Sequence, residues 1–256
     1  MRVIVVTGSA SGIGAAVCER LEAEGCRVIG VDLRAADVTA DLSDTIGRLR
    51  AIDGVRALAG DALDGVVACA GLGPQVESRS RIVAVNYFGA TAVLAGLRPL
   101  LAQGRDPAAV AISSNSATIV PGGDGALAAA CLAGDEDAAC RIAAGLDGSS
   151  AYALSKLALA RFVRRQAPAA DWAGAGIRLN AVAPGAVLTP LLQEGLDDAQ
   201  FGPAIRGFPI PLGGFGAPAQ IAAAVAFLLG AESSFCCGTV LYADGGSDAL
   251  IRGDVY

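Results

Sequence analysis

Short, continuous apolar runs recur along this chain, and most are followed by a stretch whose apolar residues repeat at helical spacing. The runs at 2–6, 27–31, 63–70, 108–112, 177–183 and 238–243 are built mainly of β-branched residues and alanine, with little polar alternation. Such runs mark strands covered on both faces, as in a parallel sheet. Helical patterns follow at 15–24, at 76–101, from Tyr152 to about 165, and at 218–229, the last opened by Pro218. Strand and helix in alternation predict an α/β fold with a parallel sheet.

Two stretches break that rhythm. Residues 120–149 join a glycine-rich turn to alanine-rich runs at 126–133 and 135–144, which predicts one or two short inserted helices over a substrate mouth or a subunit contact. Residues 190–216 are rich in Gly, Pro and Phe without periodicity, and Leu191, Leu192, Phe201, Ile205 and Phe208 suit a mobile apolar lid over substrate. No repeat or linker divides the chain, so 1–256 is expected to be one domain with these two additions.

Composition narrows the function. Hydrophobic residues make up 54% and charged residues 17%, the latter below the roughly 25% usual for soluble domains. A large core and a surface partly covered by another subunit follow. No apolar run approaches the roughly 20 residues that cross a bilayer, and the run before the first glycine loop is too short for a secretory segment, which predicts a cytoplasmic protein. The seven cysteines show no C-x-x-C and no metal-like spacing, so free, largely buried thiols and no metal are expected, with Cys236 and Cys237 packed in the last strand. A net charge of −6 without a basic run argues against nucleic acid or an anionic membrane as partner. Histidine is absent, which excludes His-dependent hydrolases and any imidazole acid or base.

The remaining polar residues sit at strand ends. Thr7-Gly8-Ser9-Ala10-Ser11-Gly12-Ile13-Gly14 lies between the first strand and the first helix, where glycines allow close approach and the helix N-terminus attracts a pyrophosphate. Asp32 closes the second strand about 20 residues further on, placed to bind ribose hydroxyls and to repel a 2′-phosphate, which favours NAD over NADP. Arg34 could soften that preference. Asp41-Leu42 suits the adenine edge, or Asp41 caps a helix. Small residues at Ala70-Gly71 leave room for a ribose. Asn86 lies in a packed helix and needs a partner; it is a core amide or part of the chemistry. Ser114 ends the fourth predicted strand, where it could hold a substrate oxygen or be an ordinary loop serine. Pro184-Gly185 and Thr189 could present backbone and hydroxyl groups to a nicotinamide carboxamide. Tyr152 and Lys156 share one helix face, where an ammonium lowers a phenol's pKa and prepares it for proton exchange. Packing plus a solvated cation is the alternative for that pair taken alone.

In this order the residues resemble the short-chain dehydrogenase/reductase family along essentially the whole chain. The carriers are Thr7-Gly8-x-x-x-Gly12-x-Gly14, Asp32, Asp41, Ala70-Gly71, Asn86, Ser113-Ser114, Tyr152-x-x-x-Lys156, Asn180, Pro184-Gly185 and Asp244-Gly245-Gly246. The resemblance implies a Rossmann-type doubly wound sheet of about seven parallel strands with helices on both faces. It implies a catalytic tetrad of Asn86, Ser114, Tyr152 and Lys156. In it Tyr152 moves the proton, Ser114 bonds the substrate oxygen, Lys156 also holds the nicotinamide ribose, and Asn86 holds a water linking Lys156 to solvent. It adds Leu33 and Val187 to the cofactor wall formed by Gly8, Ser11, Gly12, Ile13, Gly14, Asp32, Asp41, Leu42, Ala70, Gly71, Pro184, Gly185 and Thr189. Two departures stand out: Ala68-Cys69-Ala70-Gly71 lacks the Asn-Asn pair many members carry, and 38 positions separate Ser114 from Tyr152, far more than in most members. Both fit the bacterial 3α-hydroxysteroid dehydrogenase/carbonyl reductase group, which is similar in 69–75, 85–91, 183–186 and 189–192. That group implies NAD-dependent interconversion of a secondary alcohol and a ketone, with a hydrophobic substrate bound by Ser114, Tyr152, Leu191, Leu192 and Phe208. It also implies a homodimer, with a tetramer as the alternative, formed away from the central helices, for instance through 218–229. Another cyclic alcohol or aromatic carbonyl compound, or a non-catalytic NAD-binding regulator, are the alternatives.

Overall fold

The computed structural model describes residues 1–119 and 125–255. Val120 to Asp124, which include most of the glycine-rich turn of the insertion, lie outside the described residues. Seven strands form one sheet: β1 Val3–Thr7, β2 Arg27–Asp32, β3 Val38–Thr39, β4 Gly65–Ala68, β5 Ala108–Ile112, β6 Arg178–Pro184 and β7 Val240–Ala243. All pairs are parallel and the order is β3-β2-β1-β4-β5-β6-β7. The chain winds outward from β1 to one edge, returns to β4, and winds outward again, so a crevice opens at the β1/β4 reversal.

The apolar runs behave as expected of doubly covered strands. On β1, Val5 packs into one layer while Ile4 and Val6 pack into the other, all three fully buried. One layer contains α2 (Thr45–Ala59), α3 (Arg79–Leu101) and α6 (Gly148–Gln166); the other contains α1 (Gly12–Ala23) and α9 (Pro218–Leu229), which pack on each other. Leu94, Leu97 and Leu101 form the buried stripe of α3, each side chain contributing about 1.5–3 kcal/mol by leaving water. The insertion forms α4 (Ala126–Ala133) and α5 (Glu136–Ala144), which pack against α6 and α3.

Several expectations change. By length and hydropathy α3 could cross a bilayer, although no apolar run was expected to; 67% of its most apolar window is buried inside the protein, so it is a core helix. Its middle, Ala84–Gly89, is a π turn. The element α2 is not visible in the hydrophobic pattern. Its Gly54, which weakens the helical signal, is needed because a side chain there would meet Val38 of β3 at 2.7 Å. Segment 190–216 contains two helices, α7 (Pro190–Asp197) and α8 (Gly202–Arg206). A short α10 (Ser247–Ile251) follows β7. Cys236 and Cys237 precede β7; Cys236 is half-buried and Cys237 exposed, and of the seven free thiols only Cys131 belongs to a fully buried residue.

Candidate active site

The C-terminal ends of β1, β2, β4, β5 and β6 open into one cleft of about 590 Å³. Every sequence-expected cofactor, catalytic and substrate residue lines it except Asn86. At the β1 end, Gly14 is forced by packing: a side chain there would run into the Gly8 carbonyl. Ser11, in extended conformation, makes no side-chain hydrogen bond to the start of α1, which leaves the first-turn N–H groups for a ligand. Thr7, whose role the sequence did not disclose, accepts the N–H groups of Cys69 and Ala70, both at 3.0 Å, and so ties β4's end to the glycine loop.

Asp32 accepts the Ala10 N–H at 3.0 Å and that of Leu33 at 2.6 Å. Arg34 is exposed and is not part of the cleft lining. Asp41 does not cap α2; Asp44 does, accepting from the Gly47 N–H at 2.8 Å. Asp41 instead accepts from Ser43 at 2.9 Å and pairs with Arg81 at 3.0 Å. Partial burial pushes its carboxyl up, but the Ser43 and Arg81 interactions outweigh this and hold it below its usual range.

At the other end the four residues expected to form a tetrad come together. Asp147 caps α6 by accepting the Ser150 N–H at 2.9 Å, which fixes the helix start one turn before Tyr152. Lys156 Nζ donates to the Ile112 carbonyl at 2.8 Å, and Ser113 Oγ donates to the Lys156 carbonyl at 2.9 Å, so β5 and α6 hold each other. Ser114 caps the 3₁₀ turn Asn115–Thr118, accepting from Ser116, and its hydroxyl meets the Tyr152 phenol. Asn86, fully buried in the π turn, accepts the Leu72 N–H at 2.7 Å and donates to the Leu72 carbonyl and to Ser155 Oγ. Its amide therefore fastens the loop after β4 to α6. Gly71 leaves the space between them open, since a side chain there would stand 3.3 Å from Lys156 Nζ and 3.2 Å from Asn86.

The electrostatics differ from expectation. Burial pushes the Tyr152 phenol above its ordinary value, and the Ser114 hydrogen bond offsets this only in part. Lys156 Nζ lies 6.0 Å from the ring centroid and points at a carbonyl, and burial pushes its own pKa down to about 8. Desolvation of both groups thus outweighs the attraction read from their spacing. Beside them burial lifts the Cys69 thiol to about 12, an inert thiol.

The mouth is apolar. Leu191, Leu192 and Phe208 line it, with Phe201, Ala204 and Ile205 beside them and Ile119 also in the lining. Thr189 faces the cleft, yet its hydroxyl caps α7, accepting from Leu192 and donating to Val187. Gln75 was missed: its Nε2 donates to Glu194 at 3.0 Å and to the Leu191 carbonyl at 3.4 Å, while its buried Oε1 has no partner among the described residues. Only its place in a loop between a strand and a helix could have flagged it. Among the described residues no cluster suits a metal.

Two family models match, "NAD dependent epimerase/dehydratase family" over residues 4–187 and "Enoyl-(Acyl carrier protein) reductase" over 138–248. The chain is 45% identical, over 98% of both chains, to the 3-alpha-hydroxysteroid dehydrogenase/carbonyl reductase of Comamonas testosteroni. It belongs to the short-chain dehydrogenase/reductase family. A solved relative of this dehydrogenase, the 3-alpha-hydroxysteroid dehydrogenase from Pseudomonas sp. B-0831 complexed with NADH, is 48% identical, with a TM-score of 0.96 over 99% of this chain and all of that one. A more distant member, the cis-4-hydroxycyclohexanecarboxylate dehydrogenase of Sinomonas cyclohexanicum, is 32% identical over 97% of both chains. The seven-stranded parallel sheet is that of the family, and the dehydrogenase is an oxidoreductase of hydroxyl and carbonyl groups.

Proposed function

We propose that this dehydrogenase interconverts a secondary alcohol and a ketone with NAD(H), and that its substrates are 3α-hydroxysteroids and 3-ketosteroids together with simpler carbonyl compounds. The observation that carries the reading is the meeting, in one cleft, of Ser114, Tyr152 and Lys156 with an apolar mouth on one side and a glycine-lined, acid-capped wall on the other. That wall fits NAD: the uncapped start of α1 offers its N–H groups to a pyrophosphate, and Asp32 at the end of β2 would accept ribose hydroxyls and repel a 2′-phosphate. When bound, the nicotinamide accepts or supplies the hydride.

In the oxidation direction Tyr152, as phenolate, takes the alcohol's proton. Ser114 donates to the substrate oxygen and fixes its approach. Lys156, held by Ile112, stands where it can steady the nicotinamide ribose, and its charge favours the phenolate. Asn86 keeps the Leu72 loop and α6 in register, and a water on it would connect Lys156 to solvent. Segment 190–216 acts as the substrate lid. The seven free thiols suit a reducing, cytoplasmic setting. The inner face of α9 is committed to α1, so a homodimer would use its outer face, where Phe227 is exposed, together with the fully exposed Phe235 nearby.

The test is an alkaline spectrophotometric assay offering a 3α-hydroxysteroid and its 3β epimer with NAD+ or NADP+. NADH formation from the 3α epimer alone is the expected result. Reaction of a small cyclic ketone but neither epimer would retain the dehydrogenase and remove the steroid assignment.

A further inference from the structure

The insertion does more than cover α3 and α6. At the start of α5, Glu136 accepts two hydrogen bonds from one guanidinium, Arg48 Nη1 to Oε2 at 2.6 Å and Nη2 to Oε1 at 2.7 Å. The Arg48 side chain, on α2, is only 7% exposed. Its other bonds all go to backbone: Nε to the Leu42 carbonyl at 2.8 Å, and Nη2 to Ser43 at 3.3 Å and to Ala84 at 3.0 Å. Leu42 and its neighbour Asp41 line the cleft on the Asp32 side, and Ala84 opens the π turn that carries Asn86. The planar fork therefore links three segments far apart in sequence, and a buried guanidinium holds such a geometry only while its carboxylate is present.

We propose that Glu136 is a positioning residue for nucleotide binding: through Arg48 it sets the Asp41–Leu42–Ser43 turn against the adenosine half of NAD. This rests on the reading that the Asp32 side of the cleft binds adenosine. It assigns the insertion a task in cofactor affinity, with no contact between Glu136 and any ligand.

The experiment compares wild type, Glu136→Gln and Glu136→Asp, measuring NADH and AMP dissociation constants, KM for NAD+, kcat at saturating NAD+, and melting temperature. The expected result is about tenfold weaker binding of NADH and AMP and a matching rise in KM, as loss of a charged hydrogen-bond pair implies, with kcat changed less than about twofold. The shortened Glu136→Asp should fall between the other two. Unchanged NADH and AMP affinity in folded variants would overturn the proposal, as would a loss of kcat and melting temperature without change in KM. If Glu136→Gln fails to fold, Glu136→Asp decides by the same KM-against-kcat split. Failure of the wild type itself to bind NADH would instead count against the cofactor reading.

Discussion

The floor of the cleft and segment 190–216, the proposed lid, are built in opposite ways. On the floor, Ser113, Ser114, Asn86 and Lys156 are all buried, and each is held by hydrogen bonds to backbone or to a neighbouring side chain. In the lid, the only buried residues of α7 and α8 are the glycines Gly195 and Gly202. Gln75 supplies its polar ties to the floor loop, reaching Glu194 and Leu191. Reacting groups must stay within fractions of an ångström of their working geometry, whereas a surface that admits a bulky substrate must be able to part. A molecule can meet both needs only by separating them in space.

The strongest test of the floor is Tyr152→Phe. Removing the hydroxyl to which we assign the proton transfer should lower kcat by about 10³-fold or more while NADH affinity is unchanged; a variant keeping most of its turnover would remove Tyr152 from the chemistry. Ser114→Ala should lower kcat by about 10²-fold and also move the pH profile. On the proposed mechanism, oxidation should speed up as pH rises and Tyr152 loses its proton. Burial already places that event above the ordinary phenol value and Ser114 pulls it back, so the alanine variant should need still higher pH. A profile shifted the other way would contradict the assigned contact.

Lys156 tests the floor through stability. Its folded pKa of about 8 lies below the ordinary 10.5, so between these values the unfolded chain holds more protons than the folded one. Wild type should therefore gain stability relative to Lys156→Met as pH rises through that window, by about 1–3 kcal/mol, in paired denaturant titrations. Equal slopes would mean the ammonium is not desolvated. Gln75→Ala probes the lid and should do least: substrate KM shifts a few-fold, as for one exposed charged hydrogen bond, with kcat unchanged. A large loss of kcat would mean that the lid belongs to the rigid floor.

The same contrast governed what the sequence could disclose. The places of the floor and wall residues were legible because residue type and spacing locate them: Asp32 ends a strand, and Tyr152 and Lys156 share a helix face. Their pKa directions were not, because spacing reports the attraction between two charges and says nothing of the burial that opposes it. In the lid, the fragments α7 and α8 start at Thr189-Pro190 and near Pro203, signals of helix starts that a Gly- and Phe-rich background obscured. Helix α2 was hidden for a different reason, since its glycines answer to neighbouring segments and not to the helix itself, Gly54 to Val38 of β3 and Gly47 to the Asp41 backbone. Thr7 and Gln75 matter through partners 62 and 119 positions away, a relation no local pattern contains.

Gln75 also has a consequence in time. The loop it belongs to begins at Gly71, beside Lys156 and Asn86, and ends on the lid at Glu194. A nucleotide settling against the first end should therefore steady the second. The two reactants should consequently enter in compulsory order, nucleotide before alcohol, and leave in the reverse order, so that NADH competes with NAD+ while the ketone product does not.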